Sequence, residues 1–298
     1  MKTILKKIFG PLYYLLVDQY AFDKHTNIFM RIIYTTRFKL AGKNIFFTKR
    51  DREFRNLKDK FKGERCFIIG NGPSLNALDL TKLKNEYTFG VNAIYLNYEK
   101  MQFYPTFYVI EDYLVAVDRK DEINAYHESQ YKFFGTYLAY LLEPDNKTFL
   151  MNVLRNYGDK KNFPSFSTDP VRRLWVGGSV TYLCLELAYY MGFKTVYMIG
   201  FDHNYIIPKS ALISNVRESG FDILSTEDDP NHFNPQYFGK GYKWHDPNVD
   251  RMEQGFAKAK EYFEADGREV INATFGGKLE VFKRQPFEEI FNDTNKAQ

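Results

Sequence analysis

Hydrophobic positions fall along the chain in two rhythms. Short apolar runs, each stopped by glycine or a polar residue, alternate with stretches of helical spacing. Phe67-Ile68-Ile69 runs into Gly70-Asn71-Gly72-Pro73-Ser74, and Tyr87–Val91 runs into Asn92. Pro105–Ile110 runs into Glu111-Asp112, Lys194–Ile199 into Gly200-Phe201-Asp202-His203-Asn204-Tyr205, and Arg268–Ile271 into Asn272. Runs of this length between turn residues predict strands buried on both faces. Between them, Val180, Leu183, Cys184, Leu187, Ala188 and Met191 recur at 3-1-3-1-3 spacing, and Met252, Phe256, Ala259 and Phe263 at 4-3-4. That spacing predicts two amphipathic helices, the first ended by Gly192. The pattern is that of an α/β protein with a mainly parallel sheet. Open sheets of this kind bind ligands beyond the carboxyl ends of their strands. Asn71, Asn92, Asp112 and the cluster that begins at Asp202 are therefore expected to share one crevice.

The turn after the first strand draws particular interest. Gly and Asn tolerate positive φ and Pro fixes its own, so Gly70–Pro73 must turn tightly. Ser74 is placed to cap a helix entered through Leu75. Backbone N–H groups pointing out of such a turn suit a phosphate. Gly177-Gly178-Ser179 before the first helix repeats the geometry.

Two stretches lack a clear rhythm. Residues 119–174 read as helical and loop material with a lid. Residues 206–243, with Tyr237-Phe-Gly-Lys-Gly-Tyr242, read as a mobile loop over the crevice. Residues 1–62 form a separate expectation. They hold 15 Lys/Arg against 5 Asp/Glu, a net +10, while the remainder is −6 and the whole +4. Apolar runs at 4–17 and 28–34, flanked by Lys2, Lys6, Lys7, Arg37, Lys39 and Lys43, fit a basic helical module. It would lie on an anionic membrane surface or pack on the body. The apolar core Leu12–Val17 is too short to span a bilayer. Residues 63–298 are then the catalytic body, in a cytoplasmic protein peripheral to the inner face of the membrane.

Composition narrows the chemistry. The two cysteines, Cys66 and Cys184, both lie in apolar runs and read as buried hydrophobes without a disulfide framework. No zinc spacing, Walker loop or Gly-x-Ser-x-Gly elbow is present, and Gly70-Asn-Gly-Pro-Ser lacks the third glycine of a dinucleotide fingerprint. Nucleic acid is not an expected partner. The body histidines are His127, His203, His232 and His245. His245, beside Asp246 and ahead of a helix, is the best placed to take a proton from a hydroxyl nucleophile.

Taken together, Ile69-Gly-Asn-Gly-Pro-Ser-Leu75, Gly90-Val-Asn92, Gly177-Gly-Ser-Val-Thr181, Gly200-Phe-Asp-His-Asn-Tyr205 and Ile271-Asn-Ala-Thr-Phe-Gly-Gly277 resemble the 6-hydroxymethylpterin diphosphokinase MptE-like family. The same order of motifs is similar to the bacterial lipooligosaccharide sialyltransferases, which use CMP-sialic acid in a Rossmann-like domain. That resemblance implies that Asn71, Gly72 and Ser74 meet the nucleotide phosphate and ribose. It implies that Asn92 lies near phosphate and cytidine, and that Gly178 and Ser179 hold the cytidine or the donor carboxylate. Asp202, the second catalytic candidate, opens a polar cluster that includes Tyr205, and His245 is the general base, with Tyr237 and Tyr242 as counterparts of the tyrosines that hold the leaving phosphate. The implied activity is an inverting glycosyltransferase that moves an acidic sugar such as sialic acid or Kdo from a CMP-sugar to a cell-surface or lipid-linked glycan. No cofactor is required for that chemistry, and self-association is left open. Asp112 stands where those transferases carry asparagine, and a carboxylate there favours a Mg²⁺ bridge. The family alternative is a Mg²⁺-dependent diphosphokinase using ATP, with Asp112 and Asp202 as metal ligands. A second alternative is a non-catalytic nucleotide-binding scaffold of polysaccharide assembly.

Overall fold

The structure is a computed structural model that describes residues 32, 36–37, 39–46, 48–139, 141–154, 157–159, 161–217 and 220–292. In chain order the strands are β1 (Arg65–Ile69), β2 (Tyr87–Val91), β3 (Phe107–Ile110), β4 (Tyr131–Gly135), β5 (Thr148–Met151), β6 (Val153–Leu154) and β7 (Leu174–Trp175). They continue as β8 (Thr195–Ile199), β9 (Leu212–Arg217), β10 (Gly220–Leu224), β11 (Lys243–His245), β12 (Glu269–Asn272) and β13 (Lys283–Arg284). Eight of them form one parallel sheet in the order β13-β12-β8-β1-β2-β3-β4-β5. From β1 the chain winds outward through β2 to β5, then returns to place β8 on the other side of β1. That reversal opens a crevice past the carboxyl ends of β1 and β8.

The apolar runs become central strands because both sheet faces are covered. Cys66, Phe67, Ile68 and Ile69 of β1 are all fully buried. On one face lies the helix Val180–Met191, eleven of whose twelve residues are buried. On the other, the Phe67 ring stacks on Tyr197 at 5.1 Å and on Phe291 of the helix Glu289–Asn292 at 5.9 Å. This is the Rossmann-like architecture with helices on both faces. The helix Val180–Met191 begins at Ser179, whose side chain accepts from Thr181 N–H, and ends at Gly192 with φ 90°. The helix Val249–Ala265 buries Met252, Phe256, Ala259 and Phe263, the stripe expected from spacing.

Three regions differ from expectation. Residues 119–174 are not helix and loop alone, because β4 and β5 complete the large sheet and β6 pairs with β7. Tyr131-Lys-Phe-Phe-Gly135 hides its strand in a near-continuous aromatic run, with Lys132 buried beneath it. The Lys132 ammonium sits 3.0 Å from Asp145 and 2.9 Å from the Tyr126 carbonyl. Residues 206–243 are not a structureless loop either. β9 and β10 lie there, and with β11 they form a three-stranded antiparallel sheet. β9 has no polar–apolar alternation, since Leu212 and Ile213 are both exposed.

The third difference concerns the basic end. The apolar run at 4–17 lies outside the described residues, as does 28–34 apart from Ile32. Arg37, within the module expected to lie on a membrane surface or to pack on the body, is held by protein. Its guanidinium pairs with Asp51 and donates to the Leu150 carbonyl at 3.1 Å and to Thr136 Oγ1 at 3.1 Å. Phe54 of the helix Lys49–Arg55, with Leu57 and Phe61, joins the same hydrophobic core as the body. Among the described residues no helix is long and apolar enough to cross a membrane.

Candidate active site

The crevice at the strand reversal has a volume of about 260 Å³. It gathers Asn71, Gly72, Asn92, Asp112, Gly178, Ser179, Asp202, Tyr205, Tyr237 and His245, which lie far apart in sequence. Ser74 and Tyr242 are not among its lining residues.

Its floor is the pair of glycine turns after β1 and β8, and these turns bind one another. Gly70 N–H donates to the Ile199 carbonyl at 2.8 Å, Gly72 N–H to the Gly200 carbonyl at 2.9 Å, and Ser74 N–H to Asp202 Oδ1 at 3.1 Å. Ser74 Oγ donates to Asp202 Oδ2 at 2.7 Å. A Cβ at Gly72 would land on Asp202 Oδ2 and within 2.7 Å of the Gly200 carbonyl, so only glycine lets the turns approach this closely. The expectation of outward N–H groups for a phosphate is thus corrected: the donors at 70, 72 and 74 are taken up by the neighbouring turn. Nor does Ser74 cap an α-helix. A 3₁₀ turn, Pro73–Ala77, follows, with Gly72 at its N-cap.

The walls place the asparagines. Asn71 Nδ2 donates to the Tyr237 hydroxyl at 2.9 Å and to the Val91 carbonyl at 3.3 Å. Asn92 follows β2 at φ 52°, a left-handed conformation that Asn tolerates. The carbonyl oxygens Asn71 Oδ1 and Asn92 Oδ1 are buried without a hydrogen-bond partner. Such acceptors normally find a donor, and here they meet the crevice. Asp112 caps the helix Tyr113–Asp118 through Oδ1, which accepts from Leu114 N–H at 2.8 Å and Val115 N–H at 3.2 Å. Tyr242 acts behind the wall. The Arg119 guanidinium lies 4.3 Å from its ring centroid and donates to the carbonyls of Gln236 and Tyr237 at 2.6 and 2.9 Å.

The cover carries the histidines. Asp222 and His245 are directly opposite in the β10–β11 register, so their side chains leave the same face as neighbours. Asp222, 1% exposed, receives His245 Nδ1 at 2.8 Å, and His245 Nε2 lies 3.7 Å from Asp112 Oδ1. Asp246, beside His245 in sequence, does another job: its Oδ1 accepts from Phe221 N–H at 3.0 Å and holds β10. The orienting carboxylate therefore comes from 23 residues away, across a strand pair without a readable pattern. His203 sits deeper, with Nε2 3.2 Å from Glu253 Oε1 and outside hydrogen-bond geometry. Burial lowers its proton affinity, against the opposing pull of Glu253. Burial likewise pushes the Tyr237 hydroxyl up, so it stays protonated. His127 lies outside the crevice, 3.3 Å from Asp145.

Against known proteins, a family model described as 6-hydroxymethylpterin diphosphokinase MptE-like matches residues 41–207. The chain belongs to the MptE-like family. No curated protein matches the chain. The matched span holds both glycine turns, Asn71, Asn92, Asp112 and Asp202, whereas Asp222, Tyr237 and His245 follow it. The description of this MptE-like family is that of a transferase.

Proposed function

We propose that this protein is an inverting glycosyltransferase of sialyltransferase type, which moves an acidic sugar from a CMP-sugar to a cell-surface or lipid-linked glycan hydroxyl. The observation that carries the reading is His245, held through Nδ1 at 2.8 Å by the buried Asp222 with Nε2 on the crevice side. A carboxylate on Nδ1–H fixes the tautomer, leaves the Nε2 lone pair as the base and stabilises the imidazolium that forms. In this scheme the acceptor oxygen forms the bond to the anomeric carbon while the bond from that carbon to the phosphate oxygen breaks. The electron pair stays on CMP and the acceptor proton moves to His245 Nε2. Asp112 Oδ1 lies 3.7 Å from Nε2, on the side from which the acceptor hydroxyl approaches in this scheme. Asn71 Oδ1 and Asn92 Oδ1 accept from donor groups of the nucleotide. Asp202, engaged by Ser74, is a positioning residue here and not a proton carrier.

The diphosphokinase reading keeps one specific support. The crevice is lined by five carboxylates, Glu111, Asp112, Asp202, Asp222 and Asp246, against a single Arg251. A polyphosphate in such surroundings is helped by a divalent cation. Mg²⁺ is often held by one or two carboxylates plus substrate phosphates. Asp112 fits, since only its Oδ1 is engaged as a cap. Asp202 fits poorly, with both oxygens on Ser74. No group of three or more His, Cys, Asp or Glu among the described residues is set to hold a metal.

Calorimetric titration with CMP and with ATP, each with and without Mg²⁺, separates the readings. Micromolar CMP binding indifferent to Mg²⁺ and lost in Asn92→Ala supports the CMP-sugar transferase. Mg²⁺-dependent ATP binding without CMP binding overturns it in favour of the diphosphokinase. Nucleotide binding without transfer by the purified protein, with His245→Ala leaving the activity of its assembly complex intact, points to the scaffold.

A further inference from the structure

A second histidine–carboxylate pair faces the same crevice. Asp229 Oδ2 receives His232 Nδ1 at 2.6 Å and Phe238 N–H at 2.9 Å, while its Oδ1 accepts from Asn231 N–H at 2.8 Å. This carboxylate is buried, its side chain 3% exposed. Three donors fix it, so the Nδ1–H form of His232 is imposed and Nε2 is left over. Nε2 has no protein partner among the described residues, and His232 lines the cavity. The ring cannot turn away, because it stacks face to face on Tyr237 at 4.0 Å and 5°, with the Phe238 edge at 5.1 Å. Phe233 N–H, one residue on, donates to the Asn71 carbonyl at 2.8 Å, and Asn76 Nδ2 donates to the Phe233 carbonyl at 3.0 Å. His232 is thereby fastened beside the turn after β1.

The crevice needs a cation at that point. The N–H groups of Gly70, Gly72 and Ser74 are engaged, five carboxylates line the crevice, and Arg251 lies 4.2 Å over the Tyr157 ring. His203 faces Glu253 and His245 faces Asp112.

We propose that His232 is the phosphate-contacting residue of the site: as an imidazolium held between Asp229 and the bound nucleotide, it keeps Nδ1–H on the carboxylate and donates Nε2–H to a non-bridging phosphate oxygen. The proposal rests on the nucleotide-donor reading above and extends it to the leaving group. As the bond from the anomeric carbon to the phosphate oxygen breaks, charge grows on the phosphate and the hydrogen bond from Nε2 strengthens. The proton of the acceptor still goes to His245.

The experiment compares wild type, His232→Asn and His232→Gln by calorimetric titration with CMP, cytidine and Mg²⁺-ATP. Circular dichroism and melting temperature serve as folding controls. The Asn amide can replace Nδ1 and keep the bond to Asp229 but has nothing at Nε2, whereas the Gln amide reaches the Nε2 position. The expected result is a loss of roughly 10-fold to 100-fold in CMP affinity for His232→Asn. Cytidine binding stays unchanged, and CMP affinity is largely recovered in His232→Gln. A purely structural role reverses that order, with Asn the better substitute, and overturns the proposal. Equal CMP affinity in wild type and His232→Asn, or the same loss for cytidine as for CMP, also overturns it. If ATP binds in place of CMP and loses affinity in His232→Asn, the phosphate contact stands and the CMP reading falls. If no nucleotide binds the wild type, both fall.

Discussion

The floor and the cover of the crevice are built on opposite principles. The floor, made by the turns after β1 and β8, is polar but satisfied within itself: three of its N–H groups and both oxygens of Asp202 are paired inside the protein. Among buried side-chain atoms, the free acceptors beside it are Asn71 Oδ1 and Asn92 Oδ1. The cover, residues 206–248, is irregular in sequence and holds only three short strands, yet it presents two histidines, each backed by a buried carboxylate. The floor shapes the site and the cover supplies its titratable chemistry. A region made mostly of turns can do this because Asp222, Asp229 and Asn231 are themselves buried and fully engaged.

The largest expected effect lies on the cover. In a transfer assay, His245→Ala should lower kcat about 10³-fold and Asp222→Asn about 10²-fold, with CMP affinity within a few-fold of wild type. Loss of binding parallel to loss of rate would erase the division of labour. On the floor the largest effect is structural. Gly72→Ala should destabilise by about 3 kcal/mol or more in urea unfolding, because the turns cannot separate without breaking their shared hydrogen bonds. A near-neutral result would show that the two turns are not tightly coupled. Ser74→Ala should cost about 1 to 2 kcal/mol by leaving Asp202 short of a donor. CMP affinity should change little, in contrast to the role that the motif resemblance implies for Ser74.

The smallest effect concerns the helix beneath the floor. Glu186 is fully buried, accepts from Ser167 N–H at 2.6 Å and Trp175 N–H at 3.0 Å, and burial pushes its carboxyl well above the usual range. A folded-state value above the unfolded one means that stability is fully present below the unfolded value and is lost as pH rises through the folded one. Relative to Glu186→Gln, wild type should gain stability as the pH falls from the raised folded-state value towards the ordinary glutamate range, read as a narrowing gap in melting temperature. A gap that does not change with pH would show that the backbone donors hold the carboxylate charged throughout.

Much of the floor was legible because its signals are local. A buried strand must be apolar on both faces, and a chain leaving it must turn, so Phe67–Ser74 and Lys194–Asp202 announce themselves within ten residues. The helices at 180–191 and 249–265 were legible through their apolar spacing. The pairing of Asp222 with His245 left no such trace, because a cross-strand neighbour is set by register and not by distance along the chain. The sequence pointed instead to Asp246, which is adjacent and otherwise engaged. The dyad at 229–232 does have a local signal: an Asp three residues before a His around a Pro-Asn turn can close on itself. β4 and β9 stayed hidden, the first in aromatic residues without alternation and the second because both its faces are exposed.

Sequence alone therefore determined the fold class, the strand-end turns and the identity of the crevice asparagines, since burial pattern and turn chemistry act over a few residues. Tertiary structure decided which polar groups are occupied and which are free. The glycine-turn donors are satisfied only because β8 docks beside β1, and His245 becomes an oriented base only because the β10–β11 register sets Asp222 opposite it. Those outcomes depend on contacts between distant segments, and a hydrogen bond forms or fails within less than an ångström.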